Sequence, residues 1–160
     1  LEDGAPHEVK DLSLSHLELQ RRETEDLLGG HLCLYQIHSA TLESGVLEDS
    51  SVLAELQRMR DQVGCRIGLS LSGVRQGETL LRALDTGIFD SVQATWNLLE
   101  PSAGPALTQA HEAGLEVIVK EAMANGRVLK HPAVLETAAA LGVPPDQLAL
   151  AAALAQPFSP

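Results

Sequence analysis

Short runs with strand character alternate with amphipathic helical runs along most of this 160-residue chain, and that alternation constrains its fold more than any other feature. HLCLYQIHSA places Leu32, Leu34, Gln36 and His38 on one face and Cys33, Tyr35 and Ile37 on the other, the period of two expected of a strand. Both faces read as largely buried. SSVLAELQRMRDQVG follows, in which Val52, Leu56, Met59 and Val63 form a helical stripe and Gly64 supplies a stop. The pattern then repeats as strand CRIGLSLSG, helix GETLLRALDTG, strand FDSVQAT, helix PSAGPALTQAHEAG and strand LEVIVKEA.

Helical patterns flank this core. LSLSHLELQRRETEDLLGG precedes the first strand, with Ser15 and Glu18 spaced as a capping box and Gly29-Gly30 as its end; its apolar stripe is the weakest. HPAVLETAAALG sets Val134, Ala138 and Leu141 on one face, and PPDQLALAAALAQ reads as a second, Pro-initiated helix.

Strands separated by single helices predict parallel pairing through right-handed crossovers. Their candidate end positions, His38, Ser70, Gln93 and Lys120, lie 32, 23 and 27 residues apart, the length of a βα unit. Neither a GxGxxG nor a Walker loop is present, which disfavours a dinucleotide-binding open sheet and favours a barrel. The predicted class is α/β, a (β/α)8 TIM barrel of which about four consecutive βα units and flanking helices are visible. Residues 1–160 are read as one partial barrel domain.

A formal net charge of −11 leaves no excess of Lys and Arg to displace counterions, so nucleic acid is not expected as a partner. Nor is a membrane, because no apolar run approaches the ~20 residues of a spanning helix. The opening LEDGAPHEVK lacks the basic start and apolar middle of a signal peptide, and the expected location is cytoplasmic. Two cysteines, Cys33 and Cys65, are read as reduced, buried, inert thiols that stand as neighbours ahead of adjacent strands. His7, His16, His31, His111 and His131 fall on helices or loops without metal-ligand spacing, and no metal site is expected.

In a parallel barrel the chemistry gathers at the C-terminal ends of the strands. His38, Ser70, Gln93 and Lys120 would bring an imidazole, a hydroxyl, an amide and an ammonium to one mouth, on faces shared with Gln36, with Gly68 and Ser72, with Ser91 and Thr95, and with Ile118. Lys120, inside VIVKEA, must be paired, exposed or perturbed; a salt bridge to an acidic neighbour, Glu121 or another, is its plain structural reading. Schiff-base chemistry at Lys120 in a barrel lyase is an enzymatic alternative.

The order of these landmarks resembles the aldo-keto reductases. LYQIHSA is similar to the family's fourth strand, RIGLSLSG to its fifth, SVQATWNLLEPSA to its sixth, LEVIVKEAMANGRV to its seventh strand and loop, and GVPPDQLALAAALAQP to the helix leading to its eighth strand. VKDLSLSHLELQ resembles the helix before the fourth strand. The resemblance implies a (β/α)8 barrel that transfers hydride between NADP or NAD and a small carbonyl substrate. It implies that His38 is the catalytic His and orients the carbonyl, that Ser70 and Gln93 hold the nicotinamide carboxamide, and that Lys120, where many relatives carry a Tyr stacked on nicotinamide, belongs to the cofactor site. Leu71 stands where relatives commonly have Asn. The family's catalytic Asp, Tyr and Lys come from its first three strands, which the matched segments do not include. The chain opens on Leu and closes on AQPFSP directly after a helix, and is read as the central part of a longer barrel, inactive by itself. A non-catalytic reductase-like scaffold or cofactor sensor is the further alternative.

Overall fold

The computed structural model describes residues 10–159. Four strands, β1 (Leu34–Ala40), β2 (Arg66–Leu71), β3 (Ser91–Thr95) and β4 (Glu116–Lys120), form one parallel sheet in the order β1-β2-β3-β4. Helices α2 (Ser50–Val63), α3 (Gln76–Thr86) and α4 (Gly104–Glu112) connect them; α1 (Leu14–Leu28) precedes the sheet, and α5 (Pro132–Leu141) and α6 (Pro145–Leu154) follow it. The expected class and strand sequence are thus observed: an α/β sheet of successive βα units of the barrel type.

One face of the sheet is apolar because its alternate positions are Ile37, Ile67, Leu69, Leu71, Val92, Ala94 and Val117, all buried. Val52, Leu56 and Met59 of α2, Leu80 and Ala83 of α3, and Ala106, Leu107 and Ala110 of α4 belong to the same core. The bounds of α2 follow from its own residues. Asp49 caps α2 by accepting the N–H groups of Ser51 (2.9 Å) and Val52 (3.2 Å), and Gly64, at φ 78°, ends it in a left-handed conformation that a side chain would oppose. Trp96 meets Phe158 edge to face with ring centroids 6.2 Å apart, joining the C-terminal turn to the core.

The opposite, inner face is polar, as the strand-end residues suggest, and partly open: in the first strand, read as buried on both faces, Gln36 is half-buried and His38 exposed. Parallel register lines up Gln36, Gly68, Ser91 and Glu116 in one layer, Ser70, Gln93 and Ile118 in the next, and Thr95 with Lys120 above them. Arg66 and Glu116 form an ion pair at the lower end, across the start of β3. The middle of the lower layer is tight. A Cβ on Gly68 would collide with Ser91 Oγ and sit 2.9 Å from Gln36 Cγ. Only glycine lets these two side chains close over the strand.

Four further expectations are corrected. Ser13, not Ser15, caps α1: Asp11 Oδ1 accepts the Ser13 N–H at 2.9 Å, and Ser13 Oγ accepts from His16 N–H at 3.4 Å, so the helix begins ahead of the proposed box. Leu141 and Val63, the last residues of α5 and α2, are exposed rather than packed on the apolar stripe. Cys33 and Cys65 do stand on neighbouring strand starts, where Arg66 N–H donates to Cys33 O at 2.9 Å, but Cys33 is exposed and only Cys65 is buried. Burial pushes the Cys65 thiol up. Finally, the period of two fails after Ile37: register passes from Ile37↔Leu69 to Ala40↔Leu71, an extra residue taken up at Ser39 with φ 55°. His7 lies outside the described residues.

The loops above β3 and β4 are held by buried amides. Gln76, at the start of α3, donates to Thr95 O (3.1 Å) and accepts Thr95 N–H (3.0 Å), replacing one step of a strand ladder. Asn97 accepts the N–H groups of Leu99 and Glu100, both at 2.9 Å, and donates to Glu121 O at 3.0 Å. Glu121 is thereby kept at φ 58°, a conformation costly for a non-glycine residue unless its surroundings enforce it.

Two outcomes are expected. Gly68→Ala should destabilise the fold by about 1–3 kcal/mol through overpacking, and combining it with Ser91→Ala should recover part of that loss in urea unfolding; strict additivity would remove the claimed contact. Asn97→Ala should cost about 1–2 kcal/mol by leaving two part-buried amides without their acceptor, with faster hydrogen exchange at Leu99 and Glu100 specifically. Unchanged exchange there would show that Asn97 does not hold the loop.

Candidate active site at the strand ends

Ser70, Gln93 and Lys120 meet as one hydrogen-bonded chain across three strands. Lys120 Nζ donates to Leu71 O at 2.6 Å and to Ser70 Oγ at 3.3 Å, and Ser70 Oγ donates to Gln93 Oε1 at 2.9 Å. The side chain of Lys120 spans β3 because Lys120 pairs with Thr95, one layer above Gln93, so its stem reaches toward β2. The anticipated ion pair with Glu121 does not form. The left-handed turn at Glu121 directs that carboxylate to Thr95 Oγ1, at 3.1 Å, and backbone and hydroxyl oxygens take the ammonium instead.

The direction of donation decides what this chain can bind. An ammonium only donates, so Ser70 accepts from Lys120 and passes its own proton to Gln93 Oε1. Gln93 then presents its NH2 group, and among the described residues no acceptor takes it. The arrangement offers N–H donors to an incoming carbonyl-type oxygen while Ser70 and Gln93 stay mutually oriented.

His38 stands at the C-terminal end of β1 and is exposed. Its Nε2 lies 3.3 Å from Ser39 Oγ. It lines a cleft of about 150 Å³ along the free side of β1, with Gln36, His16, Gln20, Asp11 and Lys10 among its neighbours. Lys120 lines a different cleft, of about 310 Å³, at the mouth of β3 and β4, shared with Gln76, Thr95, Glu100, Glu121 and Arg127. The structure therefore joins three of the four candidate residues directly and sets His38 on the neighbouring strand end, within the stretch where the register shifts next to Ser39. Among the described residues, no group of three His, Cys, Asp or Glu side chains is placed to hold a metal ion.

Sequence reading overlooked Gln76, and it named Thr95 and Glu121 without the hydrogen bond between them. Gln76 carries no local signal, since its role is a contact with a strand 19 residues away. Asn97 was within reach, as the Asn of the Trp-Asn-x-Leu step after β3.

No family profile and no curated protein matches the chain. Solved structures do. One aldo-keto reductase from Pseudomonas aeruginosa is 30% identical over 74% of this chain and 47% of its own, at a TM-score of 0.59. Another structure from the same organism gives 30% identity and a TM-score of 0.61 over 79% and 48%. An aldo-keto reductase from Bacillus halodurans, in its holo form, is 18% identical over 77% and 41% at a TM-score of 0.56, a likeness of fold alone. The chain spans about half the length of these structures. In the order of its strands and in sequence at the 30% level, it is similar to the central part of these aldo-keto reductases.

Proposed function

We propose that this chain is part of an NADP- or NAD-dependent oxidoreductase that interconverts a small aldehyde or ketone and its alcohol, located in the cytoplasm, with residues 1–160 forming part of one barrel domain. The observation that carries this reading is the Lys120–Ser70–Gln93 chain, whose free amide donors fit the carboxamide oxygen of a nicotinamide. The ring is flat and its carboxamide offers both an acceptor and a donor; Gln93 NH2 suits the first and Ser70 Oγ the second. Bound there, the cofactor supplies or takes up hydride.

The chain's own residues bind and orient. Ser70 and Gln93 would fix the carboxamide and hence the ring plane, and Lys120 completes the cofactor site. His38, one strand away, is assigned to orient the carbonyl by donating to its oxygen, a task that needs an exposed imidazole at a strand end. Aldo-keto reductases take their Asp, Tyr and second Lys from strands that the matched segments do not include, and we assign the proton donor to none of the residues described here. A Schiff base at Lys120 is the weaker reading, since its ammonium is committed to Leu71 O and Ser70 Oγ. A scaffold or cofactor sensor would use the same binding residues.

The chain contains one tryptophan, Trp96, directly after β3, and energy transfer from it to a reduced nicotinamide reports binding. Titration with NADPH and NADH should give saturable quenching. Gln93→Ala should weaken binding about tenfold, the value of one well-placed hydrogen bond, with circular dichroism unchanged. Equal affinity in the variant would discard the carboxamide assignment; absence of saturable binding of both cofactors to the parent chain would discard the oxidoreductase reading.

A further inference from the structure

We propose that Lys120 makes this site prefer the reduced cofactor over the oxidised one, and so poises it for carbonyl reduction; this rests on the nicotinamide reading above.

Three observations carry it. First, the ammonium is held in place: Nζ donates to Leu71 O at 2.6 Å and to Ser70 Oγ at 3.3 Å, so the charge does not swing into solvent. Second, among the described residues no carboxylate neutralises it. The two acids of the same cleft are turned to other donors, Glu121 to the Thr95 hydroxyl at 3.1 Å and Glu100 to the Ser102 N–H at 3.3 Å and the Ser102 hydroxyl. The other cation of the cleft, Arg127, donates to Ala124 O at 3.0 Å. Third, Lys120 shares Ser70 with the carboxamide site. A carboxamide bonded to Ser70 and Gln93 brings its ring to roughly 6–8 Å from Nζ, one hydrogen-bond length beyond Ser70 Oγ.

An oxidised nicotinamide ring carries a positive charge and a reduced one is neutral. The rest of the cofactor is the same in both forms, so its contacts cancel in the ratio of the two affinities. A fixed cation beside the ring does not cancel. At 6–8 Å, between the dielectric of water and that of a half-buried site, repulsion of the oxidised ring amounts to about 3-fold to 50-fold in affinity, and about tenfold is expected here. An aromatic side chain at this position would lack the effect, because a ring face attracts a cation.

The test compares dissociation constants for NADPH and NADP+, and for NADH and NAD+, by calorimetry and Trp96 quenching in the parent chain, Lys120→Met and Lys120→Arg. The oxidised-to-reduced ratio of constants should fall about tenfold in Lys120→Met, mainly through tighter binding of the oxidised form. Lys120→Arg should keep most of it, and raising salt should shrink it. A ratio unchanged in Lys120→Met, or an equal loss of both forms, overturns the proposal and leaves the cofactor reading standing. Failure of the parent chain to bind either form overturns both.

Discussion

The pairing of β2 with β3, which sets Gly68 opposite Ser91 and Ser70 opposite Gln93, is the constraint on which the rest of this structure depends. Because side chains alternate along parallel strands, that single register assigns every position in the sheet to a face. A one-residue slip of β3 would turn Val92 away from the helices and bury Gln93 in its place. The core of Ile67, Leu69, Val92 and Ala94 against α2, α3 and α4 penalises such a slip strongly, as burying each large aliphatic side chain is worth about 1.5–3 kcal/mol. The polar mouth is thus placed by apolar packing on the other side of the sheet.

Keeping that mouth polar has a cost, and the structure meets it with directed hydrogen bonds. Lys120, Ser70 and Gln93 satisfy one another in a chain with a fixed donor sense. Gln76 and Asn97, both nearly fully buried, hold the backbone of Thr95 and Glu121 at the top of adjacent strands. Two non-glycine residues with positive φ, Ser39 and Glu121, sit at the ends of β1 and β4, where the chain leaves the sheet to form the mouth. Strain gathers at such ends because the rigid sheet below overrides local preference.

The lower inner layer differs in kind. Gln36 Oε1 and Ser91 Oγ are buried there without a hydrogen-bond partner in the described structure, on either side of Gly68. This layer is filled by size rather than by satisfied polarity, which explains why glycine is needed between them. The ion pair of Arg66 with Glu116 then covers the base of the face.

The alternation of periods two and three to four, with Gly64 ending α2, already determined from sequence the order of the strands and helices, their parallel sense and the helix-facing core, because these follow from local periodicity and turn chemistry. The strand-end residues Ser70, Gln93 and Lys120 were legible for the same reason, as polar breaks in apolar runs. Tertiary structure alone decided the bulge at Ser39, the start of α1 at Ser13, the partners of Lys120, the place of Gln76 and the bond from Asn97 to Glu121. Each depends on a competition between groups far apart in the chain. Lys120 had a carboxylate next to it in sequence, yet a left-handed turn at Glu121 carries that group to Thr95 and leaves the ammonium to oxygens 49 and 50 residues away, a choice set by sheet register and backbone geometry rather than by neighbouring residue types.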